Sequence, residues 1–207
     1  MNDQATPGSP PPTTRRAHEE EAVKISGRKL SKAMEEAGVD ADQLATALAQ
    51  PGFPADRAAS AIRNWMRDND HPRCKAAYIA KMAQALGRPV KDLAIFTSMV
   101  KGHRGSARKA GLLTTLIRGK TADAAMNLLS FNTKRAAVNI RKCLAAAIAD
   151  AQLADANGAD LVVCESRVDQ AMVIKRFQPK DRGRAHQILK PLSHITVSVE
   201  ERKSSRK

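Results

Sequence analysis

Six basic side chains that lie close together near the C-terminus are well suited to binding an anion. A single acid, Asp181, lies among them, and they are Lys175, Arg176, Lys180, Arg182, Arg184 and Lys190. A guanidinium group can pair with two phosphate oxygens at once, and an ammonium group attracts phosphate as a compact charge. Because so many cations are difficult to explain as part of a protein core, we predict an arm that inserts into a polyanion. The expected polyanion is folded RNA.

Two segments with the pattern of β-strands flank this basic stretch. Residues 195–200 alternate strictly, with Ile195, Val197 and Val199 on one face and polar side chains on the other. Residues 161–174 alternate in a similar way before the basic stretch. A period of two is typical of a half-buried strand, and Gly183 in the middle allows the chain to turn. The sequence therefore predicts a long β-hairpin that carries the cations.

The net charge of +14 is concentrated in the second half of the chain. Residues 1–97 hold 14 Lys and Arg against 12 Asp and Glu, a net charge of +2, so residues 98–207 carry the other +12. This asymmetry indicates nucleic acid as the partner of the second half. With one Trp, one Tyr and four Phe, the chain has too few aromatic rings for a base-stacking platform. Binding is therefore expected through phosphates and shape.

Composition and apolar periodicity divide the chain into five predicted segments. These are a disordered tail at 1–22, a helical domain at 23–97, a Gly-containing linker at 98–105, a second domain at 106–202 and a basic tail at 203–207. Three helical stripes after Ser106, Thr121 and Thr133 precede the strands of the second domain. The predicted fold class is α+β, with an all-α N-terminal domain and three C-terminal helices on a small antiparallel sheet that extends into the long hairpin.

The helical pattern of residues 28–96 resembles the helix-turn-helix domain of phage-repressor-like regulators. The similar features are Gln43-Leu44-Ala45, Trp65 near the end of the third helix, the run from Ile79 to Gly87, and Asp92-Leu93. The connection from 48 to 56 holds two prolines and is longer than the turn of that motif. Acids in and after the candidate recognition helix at 56–67 would repel phosphates. A DNA-binding regulator remains the alternative function, beside a helix-bundle or protein-facing role, and Trp65 is predicted to be a core residue.

An ordered series of short motifs in the second half resembles the bacterial-type large-ribosomal-subunit protein L-twenty-two family. In chain order they are Ser106-Ala107-Arg108-Lys109-Ala110, the segment 116–120, the alanine-rich segment 145–151, Val168-Asp169, Lys175-Arg176-Phe177, the segment 182–185 and Ser193-His194-Ile195-Thr196-Val197. The series covers about half of the chain. It departs from the family at Ala107, where proline is usual, at 169–172, which lack Gly-Pro, and at a less basic tip.

The resemblance implies a protein of the large ribosomal subunit that binds ribosomal RNA during assembly in the cytoplasmic ribosome. Its expected partners are this RNA, neighbouring ribosomal proteins and the nascent polypeptide, because the hairpin tip of the family lines the peptide exit tunnel. That tip maps onto Gln178, Pro179, Lys180, Asp181, Arg182, Gly183 and Arg184. The expected RNA contacts are Arg108, Lys109, Arg118, Lys120, Lys175, Arg176, Arg182, Arg184 and Lys190. Whether the N-terminal helices add a contact with RNA or protein is left open.

Neither an enzyme nor a membrane protein is expected. The five histidines lack metal-ligand spacing with Cys or acids, and the sequence contains no Walker loop and no G-x-S-x-G motif. No apolar run is long enough to span a bilayer. Cys74, Cys143 and Cys164 are widely spaced, which predicts buried thiols in a reducing compartment rather than a disulfide framework or a zinc site. No cofactor and no metal is therefore predicted.

Overall fold

The computed structural model describes residues 23–50 and 53–202. These ranges contain seven α-helices and four β-strands, which confirms the α+β class. In chain order they are β1 (Val23–Ile25), α1 (Gly27–Ala37), α2 (Ala41–Leu48), α3 (Ala55–Met66), α4 (Ala76–Ala85), β2 (Ala94–Arg104), α5 (Ala107–Ile117), α6 (Ala122–Ser130), α7 (Arg135–Leu153), β3 (Leu161–Pro179) and β4 (Ala185–Glu201). The predicted tails at 1–22 and 203–207 lie outside the described residues. Among the described helices, none has the length and apolar character needed to cross a bilayer.

The four strands form one antiparallel sheet in the order β1-β2-β4-β3. β3 and β4 pair along their whole length, from Leu161 opposite Glu201 to Pro179 opposite Ala185. β2 accompanies β4 only as far as the pair Arg104 and Leu192. Beyond this pair the two long strands continue as a free hairpin arm, as the alternating sequence predicted.

The prediction of a linker at 98–105 is wrong, because residues 98–104 belong to β2. Residues 94–97, at the end of the predicted helical domain, also belong to this strand. The register of β2 against β4 shifts between Val100 and His103, and Gly102 lies in this irregularity with a φ of 73°. The glycine therefore marks a β-bulge, where its left-handed conformation is needed, and not a flexible connection.

β4 is buried on both of its faces near the C-terminus. Ile195, Val197 and Val199 are fully buried, as the alternation predicted, but Thr196 and Ser198 are buried as well. β4 lies between β2 and β3, and the Ser198 hydroxyl lies 2.9 Å from the Thr97 hydroxyl of β2. The expectation of a half-buried strand with one solvent-exposed face is therefore wrong for this end of β4.

The N-terminal helices are joined to the sheet rather than separated from it. Residues 23–25 form β1, which pairs with residues 94–96 of β2, so this part of the chain holds a strand in addition to the expected helices. The Lys29 ammonium of α1 donates to the Glu201 carbonyl at 3.0 Å, and the Lys91 ammonium lies 3.6 Å from the Glu201 carboxylate. Backbone pairing and these two lysines fix the helices at the end of the sheet opposite to the arm.

The charged residues around the candidate recognition helix make intramolecular contacts. That helix is α3, and Trp65 within it is buried, as predicted, with its indole N–H donating to the Pro72 carbonyl at 2.6 Å. The Arg63 guanidinium donates to the Asp42 carboxylate at 2.8 Å. The Asp68 carboxylate accepts the Gly27 N–H at 2.8 Å. These contacts stabilise the bundle.

Candidate nucleic-acid interface

The hairpin arm is an exposed, basic, two-stranded ribbon. Every residue from 175 to 187 is solvent-exposed. At the tip a short 3₁₀ turn at Asp181–Gly183 is closed by a hydrogen bond in which the Lys180 N–H donates to the Arg184 carbonyl at 2.6 Å. Arg182 and Gly183 both have positive φ, a conformation that suits glycine and is uncommon for arginine. The tip therefore holds the Arg182 and Arg184 side chains in solvent at the far end of the arm.

The strand register assigns the cations of the arm to two faces. Opposite residues of an antiparallel pair project to the same side, and successive residues alternate. Arg176 is opposite Ile188, and Lys190 is opposite Ile174, so these four residues share one face. Lys175 lies on the other face, opposite Leu189. Lys175 and Arg176 therefore project from opposite faces of the arm.

The first of these faces forms one wall of a groove of about 960 Å³ at the base of the arm. The end of β2 and the first turns of α5 and α7 form the other wall. Six cations line this groove, and none of its described lining side chains is acidic. They are Arg104, Lys109, Lys134, Arg135, Arg176 and Lys190. We call this concavity the basal groove.

Two helix N-termini strengthen the positive potential of the basal groove. Ser106 and Lys134 are the N-cap residues of α5 and α7, and both line the groove. The side chain of neither residue caps the first turn of its helix within the described structure. Free first-turn N–H groups and the helix dipole attract anions, so both helices favour a phosphate at this position.

His103 lies beside the basal groove and is buried. Its Nδ1 lies 2.7 Å from the Asn139 amide nitrogen, which fixes the ring against α7. Burial lowers the pKa of His103, and the positive charge of Arg135 lowers it further. The imidazole is therefore held neutral, and the charge of the groove comes from its lysines and arginines.

The predicted RNA contacts do not all meet at one place. Lys109, Arg176 and Lys190 line the basal groove, and Arg108 is exposed beside Lys109 on α5. Arg182 and Arg184 lie at the arm tip. Arg118 and Lys120 lie at the opposite end of α5, roughly 15 Å from Lys109 at 1.5 Å per residue. The structure therefore has a groove and a tip as separate clusters, with Arg118 and Lys120 outside both.

The Arg118 side chain and the backbone of Gly119 and Lys120 cover the edge of β3, and the Lys120 side chain is exposed. The Arg118 guanidinium donates to the Ser166 carbonyl at 2.5 Å. The Lys120 carbonyl accepts the Val163 N–H at 2.9 Å, and the Gly119 N–H donates to the Val163 carbonyl at 2.9 Å. Backbone N–H and C=O groups that are already hydrogen-bonded cannot pair with a strand of another chain, so this loop protects the edge strand.

Replacement of Arg118 by alanine is expected to lower the free energy of unfolding by about 1–3 kcal/mol, because the carbonyl of the buried Ser166 loses a charged donor. Urea unfolding followed by circular dichroism measures this loss. Arg108→Ala, which removes an exposed arginine at the other end of α5, is the control and should change stability by less than about 0.5 kcal/mol. Equal stability of the two variants would contradict the role of Arg118 as an edge contact.

Three cations of the basal groove were not among the predicted contacts. Arg104 fell within the segment interpreted as a linker, and Lys134 and Arg135 follow Thr133 at the start of a predicted helix. A signal was available for the last two, since a basic pair at the first turn of a long helix opposes the dipole and suggests an anionic ligand. Arg104 required knowledge of where β2 ends.

The thiols offer no nucleophile for chemistry near neutral pH. Burial raises the pKa of Cys74 to about 12 and that of Cys164 to about 11, and it also raises the pKa of Cys143. Cys74 and Cys143 are buried as predicted, whereas Cys164 is only half-buried. Within residues 23–50 and 53–202, no three His, Cys, Asp or Glu side chains are grouped so that they could hold a metal ion.

The region that contains the basal groove and the arm is similar to known proteins. A family model described as ribosomal protein L22p/L17e matches residues 98–200. The protein named large ribosomal subunit protein uL22 of Novosphingobium aromaticivorans is 46% identical over 99 residues, which are 47% of this chain and 79% of that protein. The uL22 protein of Methylorubrum populi is 46% identical over 121 residues, 56% of this chain and 95% of that protein. That of Zymomonas mobilis is 46% identical over 103 residues, 49% of this chain and 82% of its own length.

Proposed function

The chain belongs to the ribosomal protein L22p/L17e family, and on this premise we propose that it is a structural component of the large ribosomal subunit that binds ribosomal RNA and supports assembly. The observation that carries the proposal is the basal groove, where six cations and two helix N-termini converge within the matched residues. Phosphate contacts of this kind supply most of the affinity of proteins for nucleic acids and position the protein on them.

The arm supplies the second part of the proposed RNA contact. From Val173 to Lys180 it extends roughly 25 Å beyond the sheet at 3.3 Å per residue. An exposed ribbon of this length with five cations between residues 175 and 184 and one acid would repel itself in isolation. Surrounding phosphates would remove this repulsion, so the arm fits an RNA environment better than free solution.

The proposed role of the tip follows from the family and concerns translation. We assign residues 178–184 to the wall of the peptide exit tunnel of the cytoplasmic ribosome, where they would meet the nascent polypeptide. Gln178 and Asp181 make this tip less basic than the family pattern. Neighbouring ribosomal proteins are the other proposed partners. The family is one of structural ribosomal proteins and not of enzymes.

We further propose that residues 106–202 form the RNA-binding domain and that the helices within 23–97 form an extension joined to it through β2. The similarities to known proteins give no support to the alternative of a helix-turn-helix regulator, and no regulator function is proposed. The match at 98–200 lies C-terminal to these helices. We therefore expect the extension to contact RNA or a protein of the ribosome near the end of the sheet opposite to the arm.

Sedimentation of a tagged full-length chain in native lysate tests the proposed function. We expect stoichiometric recovery with large ribosomal subunits, and we expect this recovery to survive a high-salt wash because the arm and groove are enclosed by RNA in the assembled subunit. Recovery in the light fractions, with free large subunits elsewhere in the gradient, would contradict the proposal.

Salt dependence provides a second prediction for the purified chain and purified large-subunit RNA. If the chain makes six to ten phosphate contacts, raising the salt from 50 to 200 mM is expected to lower the affinity by about 10³–10⁵-fold. The reason is that binding releases counterions from the RNA, and release is less favourable at high salt. Filter binding or fluorescence anisotropy at five salt concentrations gives the slope. A nearly flat response would show that phosphates do not dominate the interaction.

A further inference from the structure

The basal groove has an apolar side that binding of phosphate does not explain. Leu112 of α5 lines it and is 60% exposed. Ile174 of β3 and Leu192 of β4 lie on the groove face of the arm and continue this apolar surface from Leu112 to the sheet. Removal of apolar area from water is favourable by about 25 cal/mol per Å², so binding of a ligand that covers these side chains is favoured. Such a ligand must have an apolar face.

The apolar and basic groups alternate along both walls of the groove. Lys109 and Leu112 are three residues apart on α5 and therefore lie on one side of the helix. On the arm, Lys190 shares its face with Ile174 and Arg176, and Leu192, two residues after Lys190 on β4, lies on that face as well. A ligand in the groove would meet cations and aliphatic side chains on the same molecule. This combination matches a nucleotide, which joins a charged phosphate to a flat base with apolar faces.

We propose that the basal groove accepts one unstacked nucleotide of the ribosomal RNA, with its phosphate at Lys109, Lys190 and the helix N-termini and its base against Leu112, Ile174 and Leu192. The inference rests on the proposed RNA-binding function and names the kind of RNA element that this site takes. A bulge or loop nucleotide can leave the stack in this way, which is the usual target of proteins that contact RNA bases.

Size and charge favour this occupant over the alternatives. A concavity of about 960 Å³ lies within the range of small-molecule sites, roughly 300–1,000 Å³, so it has room for one nucleotide. A continuous duplex would touch only the basic rim and leave the leucines in water. An acidic protein segment would satisfy the cations, but its carboxylates would bring no flat apolar face. Arg176 and Arg104 can also stack their guanidinium planes on a base, which compensates for the scarcity of aromatic rings.

The test compares the full-length chain with the variant Leu112→Ala/Ile174→Ala on purified large-subunit ribosomal RNA. Dimethyl sulfate reports the accessibility of unpaired adenines and cytosines, and hydroxyl radicals report the backbone. We expect at least one unpaired base that the wild type protects to become reactive in the variant, while the protection of the backbone persists. We expect the affinity to fall about tenfold, because the base loses apolar area to cover, and we expect the salt slope to stay unchanged, because no phosphate contact is removed.

Leu116→Ala/Leu128→Ala is the matched control, since these leucines are exposed on α5 and α6 but do not line the groove. It should protect the same bases as the wild type. None of these four side chains is buried, so both variants should keep the melting temperature of the wild type. If the groove variant binds with unchanged affinity and protects the same bases, the nucleotide site is disproved while the proposed function stands. If the wild type itself does not bind this RNA, the proposed function fails first, and the nucleotide site fails with it.

Discussion

Replacement of Lys109, Arg176 and Lys190 by alanine is expected to weaken binding to large-subunit RNA by about 10²–10³-fold at 0.1 M salt. Each phosphate contact adds about 0.9 to the slope of log affinity against log salt, so three contacts contribute about 2.7 decades between 1 M and 0.1 M. The slope itself should become shallower by about three. Anisotropy titrations of the full-length chain with the same RNA over a range of salt concentrations measure both quantities.

The control for this prediction removes the same charges elsewhere. Arg57, Lys75 and Lys81 are exposed on or beside helices of the N-terminal extension, and none of them lines the basal groove. Their triple alanine variant also loses one arginine and two lysines, so any effect of net charge alone is equal. We expect it to bind within about threefold of the wild type, the range of a weak long-range effect at a screening length of about 10 Å. Equal losses in both triple variants would mean that the groove has no special role.

The sequence predicts the hairpin well because its signal is local. The alternation of residues 195–200 and the basic stretch between the two strands are visible without any knowledge of contacts. The stripes of three helices after Ser106 have the same local character, and together they lead to the α+β class. Elements of this kind are determined by the period of a short segment, so one sequence is sufficient to find them.

The basal groove could not be predicted because its members are distant in sequence. Arg104, Lys109, Lys134 and Lys190 come from four segments, and only the packing of α5 and α7 on the sheet brings them together. The prediction identified Lys109, Arg176 and Lys190 one by one as cations. It also named Arg118, which the fold places outside the groove with a hydrogen bond to the Ser166 carbonyl of β3. Residue type indicates that an arginine can bind phosphate, but only the fold shows which cations share one site.

β2 was missed for a related reason. Gly102 and Gly105 suggested a linker, and the residues before them suggested the end of a helical domain. The strand is stabilised by pairing with β4, almost one hundred residues later, and with β1, about seventy residues earlier. Strand formation depends on such distant partners more than on intrinsic preference. The missed strand is also the element that connects the N-terminal helices to the sheet.

Replacement of Phe96 by alanine is expected to lower the free energy of unfolding by about 3–5 kcal/mol, a large fraction of the total stability of a typical domain. Phe96 is 1% exposed and lies at the junction, opposite Val23 of β1 on one side and Val199 of β4 on the other. Its loss should leave a cavity between the extension and the sheet. Phe131→Ala, at an 87% exposed position, is the control and should change stability by less than about 0.5 kcal/mol.

The same variant tests whether the extension and the RNA-binding domain unfold together. Trp65 is the only tryptophan in the sequence and is buried among the helices of the extension, so its fluorescence reports that part alone. Circular dichroism at 222 nm reports all the helices. Because β1 and β2 share backbone hydrogen bonds and Phe96 belongs to one continuous core, we expect the two signals to shift by the same amount in urea. A Trp65 transition that stays at its wild-type midpoint while the other moves would instead show an extension that folds independently of the sheet.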